Sequence, residues 1–126
     1  PLDTCLSNFF QVFPVGIDFA YDLSDLGHYF RNYQRLMAHW GTLLGAQLVT
    51  VCYEELVSGP EKVLRPLLEA VRLDWHDACL SHQQSVGRVD TLSLYQVRKP
   101  LNTGSTERWR NYEKYLAPLR AVLAGE

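Results

Sequence analysis

The chain has 126 residues, 47% hydrophobic and 21% charged, with a net charge of −2. Those totals fit one ordinary globular domain and exclude a disordered chain. No apolar run approaches the ~18 residues a membrane-spanning helix needs, no secretory leader is visible, and the mild field excludes a strongly basic nucleic-acid binder.

The first element is a helix over residues 1–13. Leu2, Cys5, Leu6, Phe9, Phe10 and Phe13 recur at the spacing of one buried helical face. Asp3 and Ser7 lie four apart on the opposite, polar face, and Pro14 and Gly16 end the helix. A second helix is expected over 24–44, with Ser24 as N-cap, Gly45 as stop and an apolar stripe through Leu26, Tyr29, Phe30, Tyr33, Met37, Trp40 and Leu44. Trp40 and Trp109 read as core anchors.

Leu48 to Tyr53 is a near-continuous, β-rich apolar run, the pattern of a strand buried on both faces of a parallel sheet. One strand cannot satisfy its own backbone groups. It implies further strands, either in an upstream part or in a partner chain. A helix over 58–73 follows, with Ser58 and Glu61 at capping-box spacing and Pro66 as a kink point. A short helix starting at Asp74, a long loop over 83–104 and a helix over 105–123 complete the order. The class expected is α/β, mostly helical in this chain with one clear strand.

The charge is uneven. Residues 1–87 carry five Lys+Arg against ten Asp+Glu, whereas residues 88–126 carry seven against four. The stretch "VRKPLNTGSTERW", residues 97–109, mixes cations with small hydroxyl and amide groups, as an anion-binding loop does. Arg98 and Lys99 offer a fork and a point charge for a phosphate. Ser7 sits on the first turns of a helix, where hydroxyl and N–H groups hold anions. Tyr53 offers a ring to an aromatic base. Taken singly, each also reads as a solvated serine, a loop cation or a half-buried tyrosine. Glu54 and Glu55 are adjacent, so they do not form a paired acid/base dyad. No nucleophile elbow, phosphate-binding GxxxxGK[ST] loop or metal-ligand spacing is present. Cys5, Cys52 and Cys79 read as buried free thiols in a reducing, cytoplasmic compartment, with a Golgi lumen as the alternative.

Three segments carry a resemblance. "PLDTCLS" resembles the 3′-phosphate motif of sulfotransferases that use 3′-phosphoadenosine 5′-phosphosulfate (PAPS). "MAHWGTLLGAQLVTVCYEELVSGPE" resembles that family's helix, strand and Y-E-x-L segment, and "TLSLYQVRKPLNTGSTERWRNYEKYLAPL" its C-terminal cofactor loop and last helices. Within the family the chain is similar to the tyrosylprotein-type branch and to bacterial sulfotransferases fused to helical repeats.

The resemblance implies that residues 1–126 are the C-terminal portion of one sulfotransferase domain, P-loop-like in its complete form. It implies that Ser7 binds the cofactor 3′-phosphate, that Lys99 contacts the cofactor nearby, that Ser93 lies along the nucleotide and that Tyr53 sits near the adenine. The motif's arginine, the 5′-phosphosulfate loop and the catalytic base would lie upstream of Pro1, so the isolated chain is expected to be inactive. The acceptor would be a hydroxyl or an amine. The alternatives are a non-catalytic helical interaction module, or a degenerate remnant that associates with itself or a partner through the unpaired strand.

Overall fold

A computed structural model describes residues 1–13, 15–81 and 106–125. They divide into two compact units, residues 1–48 with 104–126 and residues 49–103.

The first unit is built on two helices, α1 (Leu2–Phe9) and α2 (Leu23–Leu44). α1 stops four residues short of Phe13. Its last turn tightens, with the Gln11 amide donating to the Asn8 carbonyl at 3.0 Å. Beyond it the Tyr21 hydroxyl takes over, accepting from the Phe13 amide at 2.9 Å and donating to the Phe13 carbonyl at 3.2 Å. A 3₁₀ turn, Asp18–Tyr21, leads into α2.

Asp22, not Ser24, caps α2. Its carboxylate accepts from the amides of Ser24 at 2.7 Å and Asp25 at 3.0 Å. A carboxylate serves two orphan donors and complements the helix dipole, which a serine hydroxyl does less strongly.

The core gathers Cys5 and Leu6 of α1, Ala20, Leu26 of α2, and Leu116 and Leu119, with Phe9, Phe30, Trp109 and Tyr112 around it. The last two core leucines come from the C-terminal end. There a 3₁₀ helix, Arg108–Tyr115, is followed by a short α-helix, Ala117–Ala124. Trp109 therefore packs as expected. Trp40 does not: it is 42% exposed, and Leu36, Leu43 and Leu44 on the same half of α2 are exposed as well. Only the N-terminal part of the apolar stripe finds a partner within this unit.

Gly27 is where the C-terminal helix reaches α2. A Cβ there would lie 3.0 Å from both Cβ and Cγ1 of Val122. The Arg31 guanidinium reaches the Val122 carbonyl at 3.2 Å along the same seam.

The second unit holds α3 (Tyr53–Ser58) and α4 (Pro60–Ala70), followed by a 3₁₀ turn, Asp77–Leu80. The expected helix over 58–73 is thus divided at Gly59. Ser58 makes no cap; its hydroxyl donates to the Glu54 carbonyl at 2.6 Å. α4 runs through Pro66 without ending, and Arg72 closes it in a left-handed conformation at φ 58°.

The expectation of an α/β class is overturned. The described residues are helical and contain no strand. Leu48 and Cys52 do have extended dihedrals, with ψ of 104° and 124°. No backbone ladder joins this segment to any described residue, however, and Tyr53 already begins α3. Val49 and Val51, read as doubly buried, are 42% and 37% exposed. β-propensity supplies the extended backbone, but a strand exists only with a neighbour to pair with.

The two unstrained glycines of α2 give a direct test of this packing. Gly27→Ala should destabilise the chain by about 1 kcal/mol or more, because the Val122 backbone must move, despite alanine's better helix propensity. Gly41→Ala, with nothing within 4 Å of the new Cβ, should stabilise by roughly 0.5–1 kcal/mol. Urea unfolding of both variants measures this. Equal effects would mean that the α2 seam is not close-packed at Gly27.

Candidate functional site

The site is built on one face of α1. Asp3, Ser7 and Phe10 are spaced four and three apart, which puts them on one side of the helix. Two of the three touch the 3₁₀ helix Arg108–Tyr115. The Asp3 carboxylate accepts from the Glu107 amide at 2.8 Å through Oδ2 and from the Trp109 amide at 2.8 Å through Oδ1. The Phe10 ring meets Tyr112 edge-on, with centroids 5.0 Å apart, and lies under the Arg108 guanidinium at 5.3 Å.

Ser7 stands between these two contacts and is exposed. Its hydroxyl has no hydrogen-bond partner among the described residues. The hydroxyls of Thr42 and Ser58 donate to the carbonyl four residues back, at 3.1 and 2.6 Å, whereas that of Ser7 does not. Helical hydroxyls ordinarily satisfy themselves in that way.

The guanidinium groups nearby divide by partner. Arg110 pairs with Glu107 at 2.7 Å and Arg120 with Glu113 at 2.8 Å. The Arg110 hydrogen bond and charge hold the Glu107 carboxyl below the usual glutamate range and push the Arg110 guanidinium higher still. Arg108 faces no carboxylate among the described residues. Glu107 itself has a left-handed backbone, φ 58°, which a non-glycine residue adopts only when its surroundings enforce it. Here the enforcement comes from Asp3 on its amide and Arg110 on its side chain.

The adjoining face of α1 opens on a cleft of about 500 Å³ lined by Cys5, Phe13, Phe19, Tyr29 and Phe30, with no charged group in its walls. It suits an apolar occupant; an anion is better placed beside Ser7 and Arg108. Burial raises the Cys5 thiol above its ordinary value.

Of the sequence-predicted site residues, Ser7 is on α1 of the first unit. Tyr53 is the first residue of α3 in the second unit and 47% exposed, not a strand end. Beside it the Cys52 thiol donates to the Glu54 carboxylate at 3.1 Å and holds that carboxyl low. Ser93 and Lys99 lie outside the described residues. The three cysteines are free, but only Cys5 is buried; Cys52 is exposed, against expectation. Sequence reasoning missed the bonds of Asp3 to a segment more than a hundred residues ahead. Its only trace was the polar Asp3/Ser7 face of α1.

Residues 1–77 match the sulfotransferase family model. An uncharacterized protein of Aquifex aeolicus is 38% identical over 125 residues, covering 97% of this chain and 16% of the relative. Protein-tyrosine sulfotransferase 1 of Danio rerio is 38% identical over 66 residues, covering 47% of this chain and 19% of the relative. Protein-tyrosine sulfotransferase 1 of Homo sapiens is 35% identical over 62 residues, covering 44% and 17%. The matches therefore span 16% to 19% of the length of these relatives. No solved structure matches it.

The two Asp3 bonds carry a prediction. Asp3→Ala leaves the amides of Glu107 and Trp109 without their acceptor, at a cost of about 1–3 kcal/mol. Hydrogen exchange at both amides should accelerate at least tenfold while the α4 amides stay protected. Unchanged exchange at Glu107 and Trp109 would show that the carboxylate does not hold them in solution. The raised, buried Cys5 thiol should likewise resist iodoacetamide at pH 8 in the folded chain and react once the chain is unfolded in urea. Rapid labelling in the native state would contradict the burial.

Proposed function

Because this chain belongs to the sulfotransferase family, we propose that it supplies part of the nucleotide site of an enzyme using PAPS to sulfate a hydroxyl or amine. In that reaction the acceptor's oxygen or nitrogen lone pair forms a bond to sulfur. The sulfur–oxygen bond to the phosphate breaks, adenosine 3′,5′-bisphosphate leaves, and the acceptor's proton passes to a base. No described residue is assigned as that base, and the chain alone is expected to bind nucleotide without turnover.

The observation that carries the proposal is the free Ser7 hydroxyl, exposed on the last turn of α1 with no internal acceptor taken. We assign it to the cofactor 3′-phosphate. Lys99 and Ser93 are assigned to the same nucleotide. Tyr53, with its exposed ring, is assigned to the adenine. All 126 residues then belong to one sulfotransferase domain, working in a reducing, cytoplasmic compartment, a reading supported by three unpaired cysteines.

A second reading, an interaction module or remnant of the family, has its own supporting observation. The extended segment around Val49 and Val51 is exposed, lacks a ladder and borders a groove of about 550 Å³ also lined by Val63 and Leu67. Such an edge pairs readily with a strand of a second copy or of a partner chain.

Calorimetric titration of the chain with adenosine 3′,5′-bisphosphate and with adenosine 5′-monophosphate separates the two readings. The enzyme reading expects the 3′-phosphorylated nucleotide to bind more tightly, and Ser7→Ala to lose roughly tenfold in affinity for it alone, as for a hydrogen bond to a charged group. A wild-type chain that binds both nucleotides equally, or neither, sinks the assignment of Ser7.

A further inference from the structure

We propose that Arg108 is a second anion-binding residue of this site, contributing a guanidinium to the phosphate monoester that Ser7 holds. The inference rests on the reading of Ser7 given above and adds a residue from the opposite end of the chain.

Three observations converge on Arg108. It is exposed, and among the described residues its guanidinium faces no carboxylate, whereas Arg110 and Arg120 in the same region are each bonded to a glutamate. An arginine already paired offers fewer donors and less net charge to a ligand; Arg108 offers its full planar fork. Its position is also over-determined. The two amides bonded to Asp3 belong to Glu107 and Trp109, the residues on either side of it, so the backbone is pinned on both flanks of Arg108. The head group is located by the Phe10 ring beneath it.

Phe10 is three residues from Ser7 on the same face of α1, a separation of about 5–6 Å between Cβ atoms. The ring that the guanidinium lies over therefore belongs to a residue one helical turn from Ser7. The Asp3 carboxylate keeps its charge, but its two oxygens accept from the Glu107 and Trp109 amides and it forms no ion pair with Arg108 among the described residues. Asp3 and Phe10 act here as positioning residues, and Arg108 as the ligand-binding one.

A phosphate monoester fits this pairing better than a sulfate ester or a carboxylate. It carries up to two charges and three acceptor oxygens, enough for a bidentate guanidinium and a hydroxyl donor at once.

The test uses the 126-residue chain and the two nucleotides already named, adenosine 3′,5′-bisphosphate and adenosine 5′-monophosphate. Arg108→Gln should lower affinity for the bisphosphate roughly tenfold and leave the monophosphate unchanged. Arg108→Lys, which keeps the charge but not the fork, should recover part of the loss. Arg110→Gln, which removes an already paired guanidinium, should lose little. Hydrogen exchange at the Glu107 and Trp109 amides monitors the fold of the two Arg108 variants and should match wild type; for Arg110→Gln the Trp109 amide serves as the monitor.

If wild type prefers the bisphosphate and Arg108→Gln keeps that preference, the assignment of Arg108 fails while that of Ser7 stands. If Arg110→Gln loses as much as Arg108→Gln, the ligand senses only overall charge and the assignment again fails. If wild type shows no preference for the 3′-phosphate, both assignments fall together.

Discussion

One carboxylate closes the first unit. Asp3 lies on the first turn of α1 and binds amides 104 and 106 positions further along the chain. Each bond is ordinary in length and charge-assisted in kind. What distinguishes the pair is what hangs on it. The left-handed turn at Glu107, the start of the 3₁₀ helix, the stacking of Arg108 on Phe10 and the placement of Trp109 against the core all follow from where those two amides are fixed. Without that anchor the leucines at 116 and 119 would still prefer burial, since hydrophobic packing is not directional. The register of the residues before them would no longer be specified.

The same carboxylate explains how a chain with net negative charge presents a local cation. Acidic residues outnumber basic ones over residues 1–87, yet on the site face the nearby carboxylates are all committed: Asp3 to backbone amides, Glu107 to Arg110 and Glu113 to Arg120. Among the described residues, Arg108 is therefore left with no carboxylate partner. Counting charges along a sequence cannot reveal this, because it depends on which anions the fold has already used.

Much of the helical framework was legible in the residues. The period of Leu2, Cys5, Leu6 and Phe9 gave α1, and Gly45 marked the end of α2. Where expectation and structure part, the cause is non-local or a competition between neighbours. Asp22 outbids Ser24 as a cap because a carboxylate satisfies two donors. Trp40 carries the periodicity of a buried residue but is 42% exposed. The run from Leu48 to Tyr53 has the composition of a central strand, and Leu48 and Cys52 within it are indeed extended, but pairing is a property of two segments and composition describes one. Of the site, the polar face with Ser7 and the basic character of residues 97–109 could be read directly. The roles of Asp3, Phe10 and Arg108 could not, because no local pattern records a contact across a hundred residues.

The bonds at Asp3 also make the second unit, in chain terms, an excursion. Residues 49–103 leave the first unit and return to it, and the return is pinned within a few residues of Gly104. For a flexible loop, doubling the length between two pinned ends costs only about 0.6 kcal/mol of closure entropy. Two bonds of the kind Asp3 makes can absorb that. Insertions or deletions in the excursion need not disturb the meeting of α1 with residues 107–109, so the two ends of this chain can stay in register while the stretch between them diverges in length.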